Sequence, residues 1–150
     1  MLKADRCSSH CYLCSCKYFY TNTVYNVYLK EEKIADLKFI LAIINSKATT
    51  YVWKKSNSDE KKTFPKIKKE AILSIPIPEV KGDIQKKLSD EIIRSVDLML
   101  RLKLEKQVTP QSDKINHLNQ RIAYTDERIN KLVYELYGLS EEEIGIVEGR

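Results

Sequence analysis

A chain of 150 residues with 31% charged and 43% hydrophobic residues has enough apolar side chains for one domain, or for one small globule with an arm. No apolar run is long enough to cross a bilayer and the N-terminus has no signal-peptide core, so the expectation is a cytoplasmic protein with no membrane partner. The net charge of +5 is unevenly spread, because Lys54, Lys55, Lys61, Lys62, Lys66, Lys68 and Lys69, set against Asp59 and Glu60, carry the whole excess, while residues 140–149 are acidic. Such local basicity is a footprint for a polyanion; the alternative is a solvated lysine-rich loop.

Four cysteines crowd into positions 7–16 and none follows, which is not the spread of a disulfide framework. Cys7, Cys11 and Cys14 have the C-x3-C-x2-C spacing of a radical-enzyme iron–sulfur site, but the barrel-sized βα scaffold such enzymes need has no counterpart here. Zinc bound by Cys7, His10, Cys11, Cys14 or Cys16 is chemically open, yet the usual pair of separated ligand knuckles is missing. The simpler reading is free, reduced cysteines in or before a first strand, with no cofactor and no metal.

Residues 18–29 are aromatic and β-branched and predict one or two strands, with Tyr18, Tyr20, Tyr25 and Tyr28 as sheet packing or, alternatively, base-stacking groups. Asp36 is placed as N-cap of a helix over Leu37–Asn45, apolar all round and therefore a core helix. Thr49–Trp53 reads as a short strand, and Trp53 as core packing ahead of stacking. Residues 71–78 read as a strand ending in an extended edge or crossover, since Pro76 and Pro78 cannot supply ladder N–H groups.

The strongest periodicity lies in residues 84–137. Ile84, Leu88, Ile92, Val96, Met99 and Leu102 form one stripe; Ile115, Leu118, Ile122, Ile129, Leu132 and Leu136 form another, with Thr125 in the gap. Two long helices in an antiparallel, coiled-coil-like hairpin satisfy both stripes, with Asp83 as the first N-cap, Pro110 in the first turn of the second helix and Gly138 as its stop. Ser140-Glu141-Glu142-Glu143 is a capping box opening a short last helix. The predicted class is α+β: a small mixed α/β globule over 1–80, cysteine-rich over 1–17, then a hairpin over 81–150 acting as spacer or dimerisation region.

The order Ile43-Ile44-Asn45-Ser46, Phe64-Pro65-Lys66-Ile67, Leu73-Ser74-Ile75-Pro76-Ile77-Pro78, a long helix from Ile84-Gln85, and the ending from Ile129-Asn130-Lys131-Leu132-Val133-Tyr134-Glu135-Leu136-Tyr137-Gly138 to Ile144 resembles a known pattern. It is similar to the C-terminal target-recognition region of TaqI-like adenine-specific DNA methyltransferases and type IIG restriction–modification enzymes, and to the recognition domains of type I restriction specificity subunits. The likeness spans about residues 20–149, and the ending is its most specific part. It implies a module that reads duplex DNA beside a methyltransferase or restriction subunit. The Gly-rich cofactor loop and the Asn/Asp-Pro-Pro-aromatic motif of the methyltransferases are absent, so no catalysis of its own is expected, and no nuclease cluster stands out. The cysteine-rich start departs from the family pattern. The module is also short, which points to a truncated reading frame or a lone C-terminal half of a larger recognition domain.

Two functional expectations follow. In the first, Lys54, Lys55, Lys61, Lys62, Lys66, Lys68 and Lys69 neutralise phosphates as point charges, while Asn57 and Tyr51, with Ser56, Ser58 and Asn22, are candidates for reading bases. In the second, the chain is a helical assembly element without DNA binding of its own. Ile93, Leu98, Leu100 and Leu104 lie partly off the first helix's seam and would meet a partner, a second copy in a homodimer included.

Overall fold

The computed structural model describes residues 34–56 and 72–150. Five whole helices lie within the described residues: α1 (Ile34–Asn45), α2 (Lys47–Ser56), α3 (Asp83–Val108), α4 (Ser112–Tyr137) and α5 (Glu141–Glu148). Among the described residues there is no strand, which overturns the α+β expectation. The strands expected over residues 18–29 lie outside the described residues.

Thr49–Trp53, expected as a strand, is the middle of α2. Local β-branched propensity loses here to capping from two directions. The buried Ser46 accepts a hydrogen bond from the Thr49 N–H at 3.2 Å and donates to the Ile43 carbonyl at 2.8 Å. From far along the chain, Asn130 Oδ1 accepts the Lys47 N–H at 2.8 Å. Thr49 itself donates to the Ile43 carbonyl at 2.7 Å, so its hydroxyl ties α2 back to the end of α1. Residues 72–78 form no strand either: Ile72 and Leu73 are helical, the chain turns at Ser74 and Ile75, and a stretch without regular structure follows that carries both prolines. With two N–H groups missing, a side chain fixes this stretch instead, as Tyr137 donates to the Pro76 carbonyl at 2.6 Å.

α3 and α4 each have 26 residues and run about 39 Å at about 1.5 Å per residue. Thr109, Pro110 and Gln111 link them. Pro110 therefore lies before α4, not in its first turn, and Thr109 closes α3 by donating to the Glu105 carbonyl at 2.7 Å. The cap of α3 is Gly82 at φ 86°, with Asp83 in the first turn, where its charge suits the helix dipole. Asp36 likewise falls within α1, which already includes Ile34. Gly138 ends α4 in the left-handed region at φ 65°, and the N–H groups of Gly138 and Leu139 donate to the Glu135 and Tyr134 carbonyls in a Schellman turn. Ser140 and Glu143 form the reciprocal capping box that starts α5.

Ile92, Val96, Met99 and Leu102 of α3 are buried, as are Leu118, Thr125, Ile129, Leu132 and Leu136 of α4, along the two stripes that the sequence marks. Thr125 occupies a seam position at no polar cost because its hydroxyl donates to the Arg121 carbonyl at 2.7 Å. Ile84 does not join: at 76% exposed it precedes the packed part of the hairpin. The core is not confined to the hairpin. Phe39, Ala42 and Ile43 of α1 complete one cluster with Ile92, Val96, Met99, Ile129, Leu132, Val133 and Leu136. Lys38 pairs with Asp97 at 2.6 Å and holds α1 along α3.

Candidate nucleic-acid interface

α2 presents Lys54 and Lys55, both exposed, in its last turn, where the carbonyl end of the helix favours cations. Lys55 Nζ lies 5.7 Å from the centroid of the Tyr51 ring, so these two candidates meet through a cation–π contact. Ser56 ends the helix, exposed. Lys61, Lys62, Lys66, Lys68, Lys69, Asn57, Ser58 and Asn22 lie outside the described residues, as do Cys7, His10, Cys11, Cys14 and Cys16. Among the described residues no group of three or more metal-ligating side chains comes together, and no helix is long and apolar enough to cross a membrane.

Beside the lysine end of α2 is an apolar groove of about 390 Å³, walled by Val52 and Trp53 of α2, Pro76, Tyr137, Leu139 and Ile146 of α5. Trp53 is thus a half-buried wall of a groove, neither a core residue nor a free stacking platform. Burial raises the pKa of the Tyr137 phenol, whose hydroxyl is committed to the Pro76 carbonyl.

Three side chains lock α2 against the end of the chain. Glu148 meets Lys47 at 3.3 Å and also pairs with Arg150. Hydrogen bonds from Arg150 and then Lys47 hold its carboxyl below the usual carboxylate range. Next to it, the Tyr134 hydroxyl is buried and makes no hydrogen bond of good geometry. Burial first, and the nearby Glu148 charge second, push that phenol up to about 12.

Of the expected interface residues, Ile93 and Leu100 are half-buried and pack against the chain's own core. Leu104 is 61% exposed. Leu98 lies in a second groove, of about 310 Å³, between α3 and α4, together with Arg94, Arg101, Tyr124 and Arg128. The phosphate contacts expected from the sequence are all lysines, and these arginines are not among them. Their signal was available: Arg94 and Arg101 stand seven apart, Arg121 and Arg128 likewise, and heptad spacing keeps each pair on one side of its helix.

Residues 4–77 match the TaqI-like C-terminal specificity domain. This bears out the resemblance. The TaqI-like stretch begins within the cysteine-rich start and ends before the hairpin, so the ending expected to be its most specific part lies beyond it. It contains α1, α2 and the whole lysine segment. A TaqI-like C-terminal specificity domain has a DNA-recognition role within a methyltransferase and is non-catalytic in itself. No curated protein and no solved structure gives a significant match.

The structure gives a physical account of two of the quoted motifs. Asn45-Ser46 marks the α1–α2 junction, where Ser46 caps α2. Asn130, in the ending, supplies the second cap of the same helix. Both motifs are therefore parts of one joint.

Proposed function

We infer that the chain is a DNA target-recognition module of a restriction–modification adenine methyltransferase or endonuclease, binding duplex DNA and leaving the chemistry to a partner subunit. The observation that carries this reading is the coincidence of the TaqI-like stretch with the segment that holds the chain's whole net positive charge. Lysines in such a segment contribute affinity and register through phosphates, while sequence is read by neutral polar side chains at base edges. Lys54, Lys55 and Tyr51 on α2 supply the described part of that surface, with Lys61, Lys62, Lys66, Lys68, Lys69 and Asn57 as the remainder.

The test is titration of a duplex at several salt concentrations. Four or five lysine–phosphate contacts contribute about −4 to the slope of log affinity against log salt. Absence of binding at low salt refutes the reading.

A partner-docking role for the hairpin has narrower support than the sequence alone offered. Ile93 and Leu100 are already used inside the chain, leaving Leu98 and Leu104 for a partner. We place dimerisation through this face second.

A further inference from the structure

We propose that the α3–α4 groove around Leu98 and Tyr124 is a second phosphate-binding surface, separate from the lysine segment and built from arginine. It rests on the duplex-DNA reading above.

Arg94, Arg101 and Arg128 line the groove, and among the residues lining it Glu91 is the one carboxylate. Glu91 engages Arg128. The side chains of Arg94, Arg101 and Arg121 make no ion pair or hydrogen bond with any described residue, and all three are exposed. Of the chain's six arginines, four are thus gathered on the hairpin, whereas the lysine segment contains none. Guanidinium groups present a fixed fork that matches phosphate oxygens two at a time, and Tyr124, 69% exposed, adds a hydroxyl donor at the same place.

The charge is arranged along lines. Seven residues of helix rise about 10 Å, so Arg94–Arg101 on α3 and Arg121–Arg128 on α4 form two rows along the hairpin. Lys87 stands seven residues before Arg94, and Lys114 seven before Arg121, which extends both rows. A ligand with negative charge repeated along a line fits this better than a compact anion. A second copy of the chain fits less well, because two such faces bring arginine against arginine. Nor is the surface a continuation of the α2 lysines. On α4, Asn130 faces α2, while Arg121, Tyr124 and Arg128 fall on the opposite side at about 100° per residue.

The experiment uses the full chain, a duplex probe and a salt series. Arg94→Ala/Arg101→Ala/Arg121→Ala is expected to reduce the magnitude of the slope by about 2.7, at about 0.9 per lost phosphate contact, while the triple lysine replacement keeps the slope. Lys54→Ala/Lys55→Ala, on the other surface, lowers it independently. If duplex binding persists and the arginine triple leaves its slope unchanged, the inference is overturned and the duplex-DNA reading stands. Arginine-dependent binding of poly-glutamate with no arginine dependence for DNA assigns the face to an acidic protein and overturns it too. Absence of duplex binding by the unsubstituted chain removes both readings together.

Discussion

Asn130 Oδ1 accepts the backbone N–H of Lys47 at 2.8 Å, a hydrogen bond that joins residues 83 positions apart in sequence. The first turn of α2 has N–H groups with no partner inside the helix, and this amide, buried in α4, satisfies one of them. The other end of the same amide is also fixed, since Nδ2 donates to the Asp126 carbonyl at 2.9 Å. Asn130→Ala leaves a part-buried donor unpaired and is expected to cost about 1–3 kcal/mol, read as a lower midpoint in urea unfolding. Ser46→Ala, which removes the local cap of the same helix, is expected to cost about 0.5–2 kcal/mol. Because both act on the start of α2, the double variant should cost less or more than the sum, and a strictly additive cycle would deny the coupling.

Tyr134 makes the stability depend on alkaline pH. Its phenol is raised from 10.0 to about 12, by burial first and by the charge of Glu148 second. The folded state therefore prefers the neutral phenol. Its contribution is fully present below pH 10 and is lost as the pH rises through the folded value near 12. Ultraviolet titration should show Tyr134 among the tyrosines that ionise late or together with unfolding, and Tyr134→Phe should remove its share of that late phase, leaving the share of Tyr137. At neutral pH the same substitution should change stability by no more than about 1 kcal/mol, because the hydroxyl it removes is buried and makes no well-formed hydrogen bond, Glu148 being its nearby acceptor. Glu148 has the opposite sign: its carboxyl is held below 4.5 by Arg150 and Lys47, so what it contributes is present above that value and fades as the pH falls through the folded one.

The proline stretch after residue 74 hangs on Tyr137. The 2.6 Å bond from Tyr137 to the Pro76 carbonyl is its one hydrogen bond to α4, and Ile75 adds an apolar contact with the core. Tyr137→Phe is expected to cost about 0.5–1.5 kcal/mol globally. Its larger effect is local: amide exchange at Ile77, Glu79 and Val80 should quicken while exchange in α3 and α4 holds.

The hairpin was legible because its signals are local and repeat: two apolar stripes, Gly138, and the Ser140–Glu143 box each act within a few residues of themselves. The fold class was not, because α2 depends on distant partners. Thr49, Thr50, Val52 and Trp53 carry strand propensity, and the Ser46 cap, the Ile43 carbonyl and Asn130, from the far end of the chain, favour the helix instead. The Pro76–Pro78 stretch, expected to end a strand, belongs to none, and its anchor on Tyr137 has no sequence signature. At the candidate site the lysine segment was visible as charge density. The arginine rows were diluted by the acids around them, and they separate only when each helix is viewed down its axis.

Burial divides the apolar residues of α3 sharply enough to test what the hairpin's outer face does. Ile92 is fully buried within the shared core, so Ile92→Ala is expected to cost about 2–5 kcal/mol from lost transfer energy and the cavity left behind. Leu104, 61% exposed, contacts water in the isolated chain, and Leu104→Ser should change monomer stability by no more than about 0.5 kcal/mol. The comparison becomes informative at high concentration. If α3 pairs with a second copy through Leu98 and Leu104, sedimentation shows a dimer that Leu104→Ser dissociates, and the stability of the unsubstituted chain rises with concentration. If the face serves phosphates instead, both proteins sediment as monomers and the arginine variants alone alter binding. Charge favours the second outcome, since a two-fold pairing through Leu98 would also bring Arg94 and Arg101 of one copy against the same residues of the other.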